Sequence, residues 1–97
     1  MTEKKEIFRK LEEEKAVLDE LGVKKLGLFG SFARGDQDTE SDIDFVVNFQ
    51  EGEKTFRNYM DLKRKLEQLF SREVDLVTEE SIKPSLKDRI TEEVEYA

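Results

Sequence analysis

Neither cysteine nor histidine occurs in this 97-residue chain. Without them there are no disulfides, no thiolate chemistry and none of the usual zinc sites. No Ser-His-Asp or Cys-His nucleophile system can be assembled either. Any chemistry must therefore run on carboxylates, hydroxyls, lysine or arginine. Long hydrophobic runs are missing too, since nothing approaches the roughly 20 apolar residues of a membrane span. The opening MTEKKEIFRKLEEEK lacks the apolar centre of a signal peptide, so the expected location is cytoplasmic, with no membrane partner. An excess of positive charge is also absent. The formal net charge is -7, which argues against autonomous nucleic-acid binding, because neutralising phosphates needs clustered cations.

What is present points to a folded domain. Hydrophobic residues make up 36% of the chain and recur in periodic blocks, and the 42% of charged residues carry both signs. The length suits one domain over residues 1–97 with a modest core. Ile7, Phe8, Leu11, Leu18 and Leu21 fall at helical spacing, which predicts an amphipathic helix from Lys5 to Leu21 closed by Gly22. VKKLGLFG, Val23 to Gly30, reads as a strand ending at a tight turn. DIDFVVNF, Asp42 to Phe49, is the clearest strand. Ser31 to Arg34 is expected to form a helical turn between them.

The pattern continues with a long helix through TFRNYMDLKRKLEQLF, a short strand REVDLVT, and a C-terminal helix. In that last helix Pro84 stands near the start, and Ile82, Leu86, Ile90 and Val94 step by four. The order helix, strand, strand, helix, strand, helix predicts an α/β (α+β) fold, a small mixed sheet flanked by helices.

One stretch does not read as scaffold. In GSFARGDQDTESDIDFVV, Asp42 and Asp44 share one face of a strand whose other face, Ile43, Phe45 and Val47, is apolar. Side-by-side carboxylates repel, and one pKa should rise unless a cation lies between them. Adjacent hard oxygens are what Mg²⁺ selects. The alternative is a solvated strand end. Upstream, Gly30 permits close backbone approach, and Ser31 at a helical start offers a hydroxyl and N–H groups for a phosphate, or else serves as a simple cap. Asp75, in the third strand, could approach the pair if the strands are neighbours. Three carboxylates with two metals would form a clamp for phosphoryl or nucleotidyl transfer, with Asp75 as base. Arg34 could meet a triphosphate or pair with Asp36, Asp38 or Asp44. Ser41 could cap its loop or donate to phosphate.

Gly30-Ser31, ten residues, then Asp42-Ile43-Asp44, with Asp75 in a later strand, resembles the signature of the polymerase-beta-type nucleotidyltransferases. More narrowly, GLFGSFARGDQDTESDIDFVV, EVDLV and the tail SLKDRITEEVEYA resemble the minimal nucleotidyltransferase (MNT) antitoxins. The resemblance implies a nucleotidyltransferase palm acting with Mg²⁺, two ions, and ATP. By position, Gly30 and Ser31 would contact the triphosphate, Asp42 and Asp44 would ligate metal, and Asp75 would ligate one ion and help deprotonate the acceptor.

It also implies a partner, a small helical HEPN-type ribonuclease toxin neutralised by adenylylation of a tyrosine, in a complex with this chain. The chain lacks the extra domain with which larger relatives hold their acceptor, so the acceptor surface is expected from the partner. Two other readings stay open at this level. One is neutralisation by masking through residues such as Tyr59, Ile90, Val94 and Tyr96, and the other is transfer to a small molecule or an RNA end.

Overall fold

The computed structural model describes residues 3–97; Met1 and Thr2, which open the polar N-terminal stretch, lie outside it. Four strands form one mixed sheet: β1 (Val23–Phe29), β2 (Ile43–Phe49), β3 (Val74–Thr78) and β4 (Glu95–Tyr96), in the spatial order β3-β2-β1-β4. β1 runs antiparallel to β2 and to β4, whereas β2 and β3 are parallel. That parallel pair needs a crossover connection. The long helix α4 (Phe56–Phe70) supplies it.

Thr55 starts α4 by accepting the Asn58 N–H on its side-chain oxygen, an N-cap. Leu62, Leu66 and Phe70 then line its buried face. They meet Ile7 and Leu11 of α1 (Lys4–Glu13), Leu18 of α2 (Lys15–Glu20), and the inward residues Leu26, Leu28, Ile43, Phe45, Val47, Val74 and Leu76 of the sheet. All helical core residues therefore press on one sheet face. The rings of Phe45 and Phe70 stack with centroids 6.0 Å apart.

Three expectations about the elements are revised. The N-terminal helix is two, broken at Glu14 (φ -101°, ψ 15°), with Ile7 and Leu11 buried from the first and Leu18 from the second. β2 begins at Ile43, which leaves Asp42 in the turn just before it. The last helix, α5 (Pro84–Glu93), stops before Val94, and the chain turns into β4. A bulge between Val23 and Lys25 puts Lys24 and Lys25 both outward, which explains the imperfect alternation of β1.

The opposite sheet face is covered by the chain's end. Gly27 pairs with Tyr96 on one side and Val46 on the other. A Cβ at Gly27 would sit 2.5 Å from Val94 Cγ2 and 3.0 Å from the Tyr96 ring, so only glycine lets β4 dock there. Val46 is buried on this face, apart from the main core.

Tyr59, one of the residues offered as a partner contact, is half-buried against the core and donates its hydroxyl to the Leu76 carbonyl. Tyr59→Phe should lower stability by about 1 kcal/mol, the net value of such a bond. Urea unfolding with an unchanged slope checks it. No helix among the described residues is long and apolar enough to cross a membrane.

Candidate active site

The site lies where β1 ends and β2 and β3 begin. Phe29 is opposite Asp44 across β1 and β2, and Asp44 is opposite Asp75 across β2 and β3. Neighbouring strands lie about 4.8 Å apart, so parallel register alone brings these two carboxylates side by side. They stand on the sheet face away from the main core, one row beyond the apolar row of Gly27, Val46 and Val77. Asp44 is half-buried there, while Asp75 and Asp42 are exposed.

Burial pushes the Asp44 carboxyl up from 3.8 to about 6, with the negative charges of Asp75 and then Asp42 adding to it. Arg34 opposes the rise, and Glu93 adds to it slightly. After burial, the larger electrostatic contribution to the rise at Asp44 comes from Asp75 across the sheet rather than from the sequence neighbour Asp42. The extended backbone explains this, since Asp42 lies outside β2 and at the solvent edge. Among the described residues, no three His, Cys, Asp or Glu side chains are arranged as a metal-holding cluster. The acids form a registered pair, Asp44 and Asp75, with Asp42 at its entrance.

Gly30 fixes the other wall. Its backbone, at φ 76° and ψ -153°, occupies a region open essentially to glycine alone. A Cβ there would fall 2.1 Å from Asp44 Oδ2. The turn therefore folds directly onto the Asp44 carboxylate. α3 (Ser31–Arg34) follows, anchored by buried Phe32 and Ala33, with the Ala33 and Arg34 N–H groups returning to the Gly30 carbonyl. The first N–H groups of such a turn have no partner within it, so Ser31 opens a small patch of donors beside the acids.

Arg34 and Ser41 both bond within the protein. Arg34 donates from Nε to Asp36 Oδ2 at 3.1 Å and from Nη1 to Glu93 Oε1 at 3.0 Å. Ser41 Oγ accepts the Asp38 N–H at 2.9 Å and donates to Asp38 Oδ1 at 3.2 Å, which closes the loop before Asp42. Two residues at the site escaped sequence reasoning. Glu93 arrives from the end of α5, and Arg72 reaches the same loop from the entry to β3. Neither has a spacing signal, because both act through contacts made only after the chain has folded.

The donor set suits a divalent cation on its own chemistry. Hard oxygens from Asp44 and Asp75, with Asp42 nearby, carry charge that burial makes costly to leave unneutralised. The adjoining glycine turn and helical start are the kind of cradle that holds phosphate.

Known proteins resemble this chain in sequence and in fold. Residues 5–97 match the family described as "Nucleotidyltransferase domain". "Putative protein adenylyltransferase MJ1379" of Methanocaldococcus jannaschii is 43% identical over 98 residues, covering 99% of this chain and 96% of its own length. "Protein adenylyltransferase MntA" of Thermococcus cleftensis is 34% identical over 82 residues, or 84% of this chain and 82% of that protein. The solved "Structure of putative minimal nucleotidyltransferase" superposes with a TM-score of 0.83 at 30% identity, covering 97% of this chain and 95% of that one. "Crystal structure of the toxin-antitoxin with AMP-PNP" superposes with a TM-score of 0.68 at 25% identity, over 88% of this chain and 70% of that one. With the acid pair, the glycine turn and the mixed sheet in place, the chain belongs to the nucleotidyltransferase domain family, and is a nucleotidyltransferase of its minimal branch.

Proposed function

We propose that this chain transfers AMP from ATP to a tyrosine hydroxyl of a HEPN-type ribonuclease toxin, and acts as its antitoxin. The observation that carries the reading is the parallel register of Asp44 and Asp75 with the Gly30 turn folded onto Asp44. The adenylyltransferase names of its relatives, and the nucleotide analogue named with a related toxin-antitoxin pair, support it.

In this reading Asp42, Asp44 and Asp75 would hold two Mg²⁺ ions. When bound, the metal neutralises charge on the triphosphate and acidifies the attacking hydroxyl. The chain's own residues do the rest. Backbone N–H groups at Gly30 and Ser31 hold the triphosphate, while Arg34 and Ser41 steady the walls of the nucleotide site. Exposed Asp75 faces the incoming acceptor and takes the hydroxyl proton. The acceptor oxygen bonds to the α-phosphorus, the bond from the α-phosphorus to the bridging oxygen breaks, and pyrophosphate leaves. Residues 1–97 act as a single minimal domain in the cytoplasm, and the acceptor surface comes from the partner. The acidic net charge favours a protein acceptor over an RNA end.

The test is incubation of the chain with ATP labelled at the α-phosphate, Mg²⁺, and in turn the toxin, total RNA and small-molecule extracts. Label on the toxin alone supports the proposal. Label confined to RNA or small molecules, or absent throughout, refutes it.

A further inference from the structure

We infer that Arg72 is a positioning residue, which locks the loop carrying Asp42 and thereby sets the metal-binding geometry of the site. The inference rests on the nucleotidyl-transfer reading above only for what the site binds. The contacts themselves are direct. Arg72 Nη1 donates to the Ser41 carbonyl at 2.8 Å and to the Thr39 carbonyl at 3.1 Å, and the guanidinium lies 5.3 Å from the centroid of the Phe32 ring.

These contacts gather three pieces of chain. Ser41 immediately precedes Asp42, so its carbonyl belongs to the peptide that presents the Asp42 backbone. Phe32 is the buried anchor of the turn that begins at Gly30 and Ser31. Arg72 itself stands three residues before Asp75 on the approach to β3. One planar side chain thus joins the phosphate-side turn, the loop to the first acid and the strand of the third. The start of the loop is tied to α3, where the Gly35 and Asp36 N–H groups reach the Ser31 carbonyl and Asp36 accepts from Arg34, whereas residues 38–41 bond mainly among themselves. The Asp38 carboxylate accepts the Glu40 N–H, and the Ser41 N–H reaches the Asp38 carbonyl only at 3.3 Å.

The approach of Arg72 is itself built in. α4 ends at Ser71 in the left-handed conformation, φ 50° and ψ 44°, the one positive-φ residue other than glycine among those described. That turn redirects the chain so that the next side chain points back over the loop. Both bonds leave one nitrogen, so lysine could keep part of them, but its compact, strongly hydrated ammonium lacks the planar face that lies over the Phe32 ring.

The experiment compares wild type with Arg72→Met and Arg72→Lys, in the full chain, by hydrogen exchange and by Mn²⁺ titration in the presence of ATP, followed by electron paramagnetic resonance. Arg72→Met should speed exchange at the amides of residues 38–42 about tenfold or more, with α4 unchanged. It should weaken Mn²⁺ binding about tenfold, the scale expected when a supporting group behind a ligand is lost. Arg72→Lys should fall between, and it serves if the methionine variant does not fold.

Unchanged exchange in the loop, or a uniform increase across all elements, overturns the inference. So does unaltered Mn²⁺ affinity with a loosened loop. Failure of wild type to label any acceptor would refute the proposed function, yet leave exchange and Mn²⁺ binding to judge Arg72 separately.

Discussion

Asp44→Asn should abolish most AMP transfer while making the metal-free protein more stable. Loss of a metal-binding carboxylate at a phosphoryl centre removes several kcal/mol of transition-state stabilisation. About 4 kcal/mol corresponds to a fall of roughly 10³-fold in rate. The stability change has the opposite sign because folding raises the Asp44 carboxyl from 3.8 to about 6. Its protonated form folds more readily than its charged form. The stability it contributes is therefore fully present below about pH 3.8 and is lost as the pH rises through about 6.

Asparagine stays neutral throughout, so it escapes that loss. At pH 7.5 the variant should exceed wild type by about 1–2 kcal/mol, discounted for the solvent that reaches this half-buried group. The advantage should shrink as the pH falls below 6 and vanish near 4. Thermal melts across this range, in chelator, check the sign. A variant less stable than wild type at pH 7.5 would mean that Asp44 is not strained by its surroundings.

Gly30→Ala is the second large effect. The backbone conformation alone should cost about 1–3 kcal/mol for a residue with a Cβ. The added carbon would also lie 2.1 Å from Asp44 Oδ2, and the carboxylate must rotate away to make room. Because the displaced group is a proposed metal ligand, activity should drop by about 10²-fold or more, a far larger relative loss than stability suffers. Gly35→Ala is the control. Gly35 also has positive φ, but its Cβ would meet nothing within 4 Å. It should lose stability with much less loss of rate. Equal losses of rate in the two variants would contradict a direct link between the Gly30 turn and Asp44.

The legible parts of the molecule were those written in local pattern. The apolar face of α4 and the hydrophobic run of β2 follow from periodicity and composition, and the structure places them accordingly, whereas of the two aspartates only Asp44 lies in β2. The approach of Asp75 to Asp44 was conditional on strand order, which no local rule supplies; the α4 crossover decides it by making β2 and β3 parallel neighbours. The two-residue β4 was illegible because it has no pattern of its own and exists through Gly27, where a missing side chain admits Val94 and Tyr96.

Residues that work through backbone acceptors escape sequence reading for a related reason. Arg72 binds two carbonyls, and every residue has one, so nothing in the letters at 39 and 41 marks them as its targets. The same holds for the break at Glu14. Leu11 and Leu18 keep helical spacing across it, so the periodicity runs through the break unmarked.

If neutralisation is chemical, it should survive separation of the two proteins. The toxin should be incubated with this chain, ATP and Mg²⁺, purified away from it under denaturing conditions, refolded, and then weighed and assayed for RNA cleavage. The toxin should gain the mass of one or more AMP groups on tyrosine and remain inactive alone, with neither seen when Asp44→Asn replaces wild type. An unmodified toxin that regains full ribonuclease activity once freed from the chain would contradict it.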